Sequence, residues 1–150
     1  MNPKSHIEEL LKLNGVIVYK TRGVSMRPML KQNRDLVTVR TFEGRLKKYD
    51  VPLYRRKTGG FVLHRIIGIK DDCYIIRGDN TFKKEYVPDS EVIGVLTEFK
   101  RKGKDHSVDS AGYKLYARFW NLIYPLRWVL RKLKVVGSKI KRIISRSKKH

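Results

Sequence analysis

Three polar residues, far apart in the sequence, have the side chains that acyl-transfer chemistry uses. Ser25 stands in a turn-prone segment, His64 lies within an otherwise apolar run, and Asp79 comes directly after a glycine. A serine hydroxyl becomes a good nucleophile when a positioned base takes its proton. Histidine is a suitable base, and a carboxylate on its other ring nitrogen fixes the tautomer and stabilises the imidazolium. Together the three residues supply the parts of a serine hydrolase.

Each of these residues also has an ordinary structural interpretation. A serine close to a glycine is usually a turn residue, and a histidine within a strand is usually a hydrogen-bonded core or edge residue. A Gly-Asp-Asn triplet such as residues 78–80 is usually a hairpin turn. Residue type and spacing alone therefore do not separate an active site from three unrelated structural positions.

The elements that have to position these side chains are mainly short strands. Pro3 followed by Ile7, Leu10 and Leu11 predicts an amphipathic helix over residues 3–13. Turn residues then separate six β-rich segments, at residues 16–20, 35–40, 51–55, 61–69, 74–77 and 92–99. Frequent turns without β-α-β alternation predict a mainly β fold, either a compact antiparallel barrel or a sandwich.

Cysteine usage narrows the chemistry further. Cys73 is the only cysteine, which excludes an intramolecular disulfide and any metal site that needs two thiolates. We interpret Cys73 as a small buried or half-buried thiol, and the sequence predicts no metal ion and no cofactor.

Basic residues dominate the last third of the chain. The formal net charge is +21, and residues 100–150 contain 16 Lys or Arg against 2 Asp or Glu. We therefore divide the chain into a predicted β-rich domain at residues 1–100 and a basic, aromatic-rich helical tail at residues 101–150. The tail becomes helical from about Ser110, and Pro125 is expected to kink it or to divide it into two helices.

Three roles fit this tail. The role we expect is an anionic membrane surface as partner, because Trp and Tyr favour the interface and clustered Lys and Arg favour anionic lipid. A nucleic-acid arm is the second role, although no DNA-reading motif precedes the β region. In the third, the aromatic residues cover the barrel and the basic end is disordered. Charges near the amino terminus, and the lack of about 18 consecutive apolar residues, predict neither a secretory signal nor a spanning helix. We expect a protein held on a membrane surface, or otherwise a cytoplasmic one.

Sequence boxes in the β region supply a further signal. Residues 23–30 read Gly-Val-Ser-Met-Arg-Pro-Met-Leu, residues 63–69 read Leu-His-Arg-Ile-Ile-Gly-Ile, and residues 78–80 read Gly-Asp-Asn. The first box resembles the Gly-x-Ser-Met-x-Pro-x-Leu box around the nucleophile of type I signal peptidases, and its core also resembles the self-cleaving LexA-like repressors. The second resembles the box in which bacterial signal peptidases have a catalytic lysine. The third resembles their Gly-Asp-Asn box.

Two more segments extend this resemblance to roughly residues 23–99. Residues 48–54 are similar to the family strand that begins Gly-Asp-Ile or Gly-Asp-Val, with Tyr49 in place of the glycine. Residues 87–94 are similar to the segment that leads into the closing strand. Histidine in place of the catalytic lysine resembles the subclass found in the endoplasmic reticulum, in archaea and in sporulation-related enzymes.

The resemblance implies a LexA- and signal-peptidase-like β-barrel and a role for particular residues. Ser25 would be the nucleophile, His64 the general base and Asp79 the orienting acid. The Ser25 N–H would donate to the oxyanion, because the side chain of Gly23 offers no hydroxyl. Supporting positions in the same boxes are Gly23, Met26, Pro28, Arg65, Gly78 and Asn80.

Two features depart from the family pattern. The Ser-x-Asp-Ser-Arg stretch that follows Gly-Asp-Asn is missing, and Glu85 is a candidate for the second acidic residue of the histidine-type enzymes. A solvated loop charge is the simpler interpretation of Glu85. The spanning anchor that usually precedes the serine is not predicted here either.

The leading functional hypothesis is a membrane-associated serine endopeptidase that cleaves peptide leaders or preproteins. A preference for small residues before the cleaved bond is implied by the resemblance. One alternative is a LexA-like protease that cleaves itself or one partner. The other is a non-catalytic peptidase-like module that the basic tail recruits to a membrane or to nucleic acid.

Overall fold

The computed structural model describes the backbone of residues 3–147 and the side chains of residues 6–138. Within that part of the chain, nine strands and three α-helices form, and every strand pairing is antiparallel. The fold is mainly antiparallel β, with one sheet curled into a half-barrel. The predicted fold class is confirmed at this level.

The elements follow one another along the chain, and the longest connections are residues 21–35 and 41–51. The helices are α1 (Pro3–Asn14), α2 (Ala111–Leu122) and α3 (Tyr124–Ser147). The strands are β1 (Val16–Lys20), β2 (Leu36–Arg40), β3 (Pro52–Arg55), β4 (Phe61–Leu63), β5 (Arg65–Ile69), β6 (Cys73–Arg77), β7 (Glu85–Pro88), β8 (Val92–Arg101) and β9 (Lys104–Ser107), with a short 3-10 turn at Asp89–Glu91.

The strand pattern differs from the sequence prediction in two ways. The predicted strand at residues 61–69 is divided at His64 into β4 and β5. Strands β7 and β9 were not predicted, because neither segment shows a regular alternation of apolar and polar residues that would indicate a strand. In β7 only Val87 is buried, and in β9 all four residues are exposed.

The nine strands form two sheets. In the first sheet the spatial order is β1-β2-β8-β3-β4, with β9 paired to β8, and in the second it is β5-β6-β7. Strands β4 and β5 are consecutive in the chain but belong to different sheets, and His64 is the single residue between them. In the second sheet Ile66 pairs with Ile76, which pairs in turn with Glu85. This pairing brings Glu85 across the sheet towards the segment around His64.

Helix α1 closes one side of the first sheet. Leu11 is buried against Val39 and other core residues of that sheet, and each such side chain contributes about 1.5–3 kcal/mol on burial. Gly94 in β8 permits the close approach. A Cβ built at Gly94 would lie 2.7 Å from Val39 Cγ1 and 2.8 Å from Leu11 Cδ2, so a larger residue there would force the helix away.

The tail forms two helices, as predicted. Ser110 Oγ accepts a hydrogen bond from the Tyr113 N–H and caps the start of α2. Helix α2 ends at Leu122, and Pro125 lies in the first turn of α3, where a missing N–H costs little. The predicted division of the chain after residue 100 is crossed by contacts, since β9 pairs with β8. Among the described residues, no helix combines the length and the apolar character needed to cross a bilayer.

Candidate active site

Ser25 lies on a tight turn between β1 and β2. Gly23, two residues before it, has a φ of 82°, a left-handed conformation that favours glycine. Met26 is buried beneath the turn, and the Arg27–Pro28 peptide bond is cis. Ser25 itself is half-buried and lines a cleft of about 1080 Å³.

His64 faces the same cleft from the junction of the two sheets. Its side chain is nearly inaccessible, with 2% of the residue exposed. Its Nδ1 lies 3.1 Å from Tyr54 Oη and 3.3 Å from Glu85 Oε1. Burial lowers the pKa of the imidazole from its ordinary 6.5 to about 4, although the Glu85 carboxylate opposes this shift. The ring is therefore neutral at neutral pH, as a general base has to be.

The hydrogen bonds around Nδ1 assign the tautomer of this neutral ring. Burial, together with the Glu85 carboxylate, raises the pKa of the Tyr54 phenol, which keeps its proton. That single proton is donated to Glu85 Oε2 at 3.0 Å, so Tyr54 Oη is left as an acceptor for His64. The ring proton therefore sits on Nδ1, and Nε2 carries the free lone pair.

The free Nε2 lies beside the backbone of the Ser25 turn, with Gly78 between them. A Cβ built at Gly78 would be 3.0 Å from His64 Nε2 and 2.7 Å from the Ser25 carbonyl oxygen. The Asn80 N–H donates to that same carbonyl at 2.7 Å, and Asn80 Nδ2 donates to Val24 O at 3.2 Å. The Gly-Asp-Asn segment thus holds the Ser25 turn beside the imidazole. No hydrogen bond between Ser25 Oγ and Nε2 is present among the described contacts.

Glu85, rather than Asp79, is the carboxylate in contact with the imidazole. Two hydrogen bonds from the Arg56 guanidinium and one from Tyr54 hold Glu85 in place. Burial raises the pKa of the Glu85 carboxyl, but those hydrogen bonds outweigh burial and hold the pKa below its ordinary value. The carboxylate facing Nδ1 is therefore ionised at neutral pH.

Asp79 is engaged elsewhere, which corrects the role predicted for it. Both of its carboxylate oxygens accept hydrogen bonds at 2.8 Å from Arg65, and Oδ2 also accepts one from Tyr116 at 3.0 Å. Burial lowers the pKa of the Arg65 guanidinium, but Asp79 outweighs burial and raises it. With its oxygens occupied in this way, Asp79 joins the Gly-Asp-Asn segment to β5 and α2, and among the described residues its carboxylate makes no hydrogen bond to His64.

Arg65 is the centre of this second cluster. The side chain is completely buried, and besides Asp79 it donates to Tyr49 O at 3.0 Å, to Tyr113 Oη at 2.9 Å and to Met29 Sδ at 3.2 Å. A buried charge of this kind is stable only when it is paired and hydrogen-bonded. The contacts of Arg65 meet this requirement, and they link β5 to the Gly-Asp-Asn segment and to α2.

The cleft runs between the two edges of the curled sheet. Residues at the end of β1 line one wall and residues of β4 line the other. Its lining is mainly apolar, with basic residues at the rim, and includes Tyr19, Leu30, Leu53, Phe61, Arg22 and Lys83. An edge strand presents unpaired N–H and C=O groups, which an extended peptide can satisfy by adding as a further strand.

Sequence reasoning missed Tyr54 and Arg56 as parts of the site. Both belong to the segment around β3: Tyr54 ends the box at residues 48–54, where the resemblance concerns only the backbone, and Arg56 lies just beyond it. Comparison with protein-family models, and with curated proteins, finds no match for this sequence.

Proposed function

We propose that this chain is a serine endopeptidase with a signal-peptidase- and LexA-like core, in which Ser25 is the nucleophile, His64 the general base and Glu85 the orienting carboxylate. One observation carries the proposal. The buried imidazole has its Nδ1 held against an ionised carboxylate and its Nε2 beside the turn that presents a half-buried serine. This is the arrangement that activates a serine hydroxyl.

The reaction follows from these positions. Ser25 Oγ attacks the peptide carbonyl carbon while His64 Nε2 takes the hydroxyl proton. The Ser25 N–H, which has no acceptor among the described residues, stabilises the oxyanion. When the C–N bond breaks, the imidazolium gives its proton to the leaving amine, and a water activated by the same ring then hydrolyses the acyl-enzyme. A hydrogen bond between the serine and the histidine often forms only when substrate binds, so its absence among the described contacts is compatible with this step.

The shape of the cleft supports a peptide substrate. Strands β1 and β4 are both sheet edges, so an extended segment has backbone partners on two sides. Apolar walls accept its side chains on either side of the cleaved bond. We take a preference for small residues from the family resemblance, and peptide leaders or preproteins remain the substrates that we propose.

Tyr49 supports the proposed core fold. Its φ is 81°, a left-handed conformation that is uncommon for a residue with a large side chain. The family box that residues 48–54 resemble has glycine at this position, and glycine adopts that conformation without strain. Tyr49 therefore stands at a position whose backbone conformation suits the glycine of the family box.

Cleavage of a mixed peptide library, followed by mass spectrometry, tests the proposal. We expect Ser25→Ala and His64→Ala each to abolish product formation in the full-length protein. Ser90→Ala removes an exposed hydroxyl from the 3-10 turn and is the matched control that should retain wild-type turnover. Turnover by Ser25→Ala at the wild-type rate would overturn the assignment.

A second comparison tests the carboxylate. Glu85→Gln should lower the rate on the order of a hundredfold or more, because the amide supports the imidazolium poorly. Glu91→Gln is its control, since Glu91 pairs with Arg55 and lies outside the lining of the serine cleft. If the protein cleaves only itself, at a rate unchanged by dilution, the LexA-like alternative replaces a peptidase that acts on other chains.

A further inference from the structure

Helices α2 and α3 carry a continuous apolar stripe that no described part of the chain covers. Its side chains are alternately four and three residues apart, and each is between 44% and 78% exposed. The stripe consists of Leu115, Phe119, Leu122, Leu126, Val129, Leu133 and Val136. It continues across the junction of the two helices, because the Arg127 N–H still donates to Ile123 O there.

The opposite side of these helices is fixed to the catalytic core. Trp120 Nε1 donates to Asp79 O at 2.9 Å, and an Arg127 guanidinium nitrogen donates to the same oxygen at 2.6 Å. The Arg127 guanidinium also stacks on the Trp120 ring at 3.8 Å. With these contacts in place, α2 cannot turn its apolar stripe inward.

Charge around the stripe indicates what covers it. Residues from Ser110 to His150 include no Asp or Glu, and exposed basic side chains flank the stripe, among them Lys114, Arg118, Lys132 and Lys134. We propose that the stripe and its basic flanks form a docking surface on which the protein lies against an anionic lipid bilayer. Amphipathic helices with this combination bury the apolar side at the headgroup boundary and hold anionic lipid with the flanks.

The other occupants fit the same observations less well. If a second copy of the chain covered the stripe, two helical segments with basic residues and no Asp or Glu would lie side by side. Their like charges would repel each other. Nucleic acid would use the basic side chains but would leave the apolar stripe in water. Only a surface that is both apolar and anionic satisfies both features.

Docking in this way would hold the serine cleft next to the membrane. The Phe82 ring packs on Tyr124 in the first turn of α3, with ring centres 5.6 Å apart, and the Arg131 guanidinium lies 4.6 Å from the Phe82 ring centre. The neighbours of Phe82 in sequence, Thr81 and Lys83, line the cleft. If the proposed peptidase function holds, its substrates are therefore peptides presented at a bilayer surface.

Vesicle co-sedimentation of the full-length protein tests the docking surface. We expect binding to vesicles of phosphatidylcholine with about 30% phosphatidylglycerol, and much weaker binding to phosphatidylcholine alone. The double variant Leu126→Glu/Leu133→Glu should lower the partition coefficient on the order of tenfold or more. Leu13→Glu/Val18→Glu changes two apolar residues outside the stripe that are at least as exposed, and this variant should bind as the wild type does.

Each outcome has a defined meaning. Unchanged vesicle binding by the stripe variant, or equal binding to neutral and anionic vesicles, would overturn the proposal. If light scattering shows that the wild type is a dimer and the stripe variant is a monomer, and neither protein binds vesicles, the stripe is assigned to contact with a second copy. Binding of a DNA duplex but not of vesicles would assign the tail to nucleic acid. Because Ser25→Ala should bind vesicles like the wild type, failure of the docking surface and failure of the peptidase assignment remain distinguishable.

Discussion

The buried state of His64 makes a prediction that needs no substrate. Burial lowers the pKa of the imidazole from 6.5 to about 4, so the folded protein holds the ring neutral where the unfolded chain protonates it. Between these two values the unfolded state binds more protons than the folded state. The free energy of unfolding should therefore fall as the pH falls from 6.5 to about 4, and this contribution should be constant above 7.

The size of the effect follows from the same shift. A shift of this size corresponds to about 3 kcal/mol of stability once the pH is below both values. Most of this stability is lost at the upper end of the pH range, with a decrease of about 2 kcal/mol between pH 7 and pH 5. Because His64 is 2% exposed, solvent screening reduces these values little.

Two measurements check this prediction. Titration of the imidazole by NMR, with the resonance assigned by its loss in His64→Gln, should give a midpoint near 4. Urea unfolding at pH 7, 6 and 5 should show the acid-induced loss in the wild type and a smaller one in His64→Gln, which keeps all other titrating groups. Glu85→Gln should lower the midpoint of His64 further, since the carboxylate favours the protonated ring.

A midpoint at or above 6.5 would refute the reasoning. So would unfolding free energies of wild type and His64→Gln that change equally with pH. Either result would mean that burial does not outweigh the interaction of the protonated ring with the Glu85 carboxylate. Part of the protein would then hold an imidazolium at neutral pH, and an imidazolium cannot act as a general base.

Three substitutions test the surroundings of the site. Asp79→Asn leaves the buried charge of Arg65 without its partner and should cost about 3–5 kcal/mol in urea unfolding, so a loss below about 1 kcal/mol would contradict the buried pair. Gly78→Ala places a Cβ 2.7 Å from the Ser25 carbonyl and should destabilise by about 1–3 kcal/mol while slowing acylation of Ser25 by a serine-reactive probe. Gly112→Ala is the control, because its Cβ meets no atom within 4 Å. It should stabilise α2 by up to about 1 kcal/mol and leave labelling unchanged.

Local pattern was sufficient for most of the fold. The run of β-branched and aromatic residues at 16–20 predicted β1, because such side chains pack well on the pleated surface of a sheet. The glycine two residues before the serine predicted a turn, and Gly23 has the positive φ that such a turn can require. Pro125 predicted the division of the tail, since a residue without an N–H does not continue a helix.

Local pattern failed where neighbours come from distant segments. Residues 61–69 have the composition of one continuous strand, but β4 pairs with β3 and β5 pairs with β6. Nothing within those nine residues shows that the partners change at His64. For the tail, the sequence left open whether its aromatic residues cover the β domain, and only the structure shows that Tyr116 hydrogen-bonds Asp79.

By itself, the sequence determined which residue types are available for chemistry and the short elements that carry them, since both depend on near neighbours. Only the tertiary structure decided which carboxylate meets the imidazole. Pairing of Ile76 with Glu85 in the second sheet brings Glu85 towards His64, while a buried guanidinium from β5 takes both oxygens of Asp79. The physical reason is that strand register and the pairing of buried charges are set by long-range contacts, which leave no mark on the order of residues along the chain.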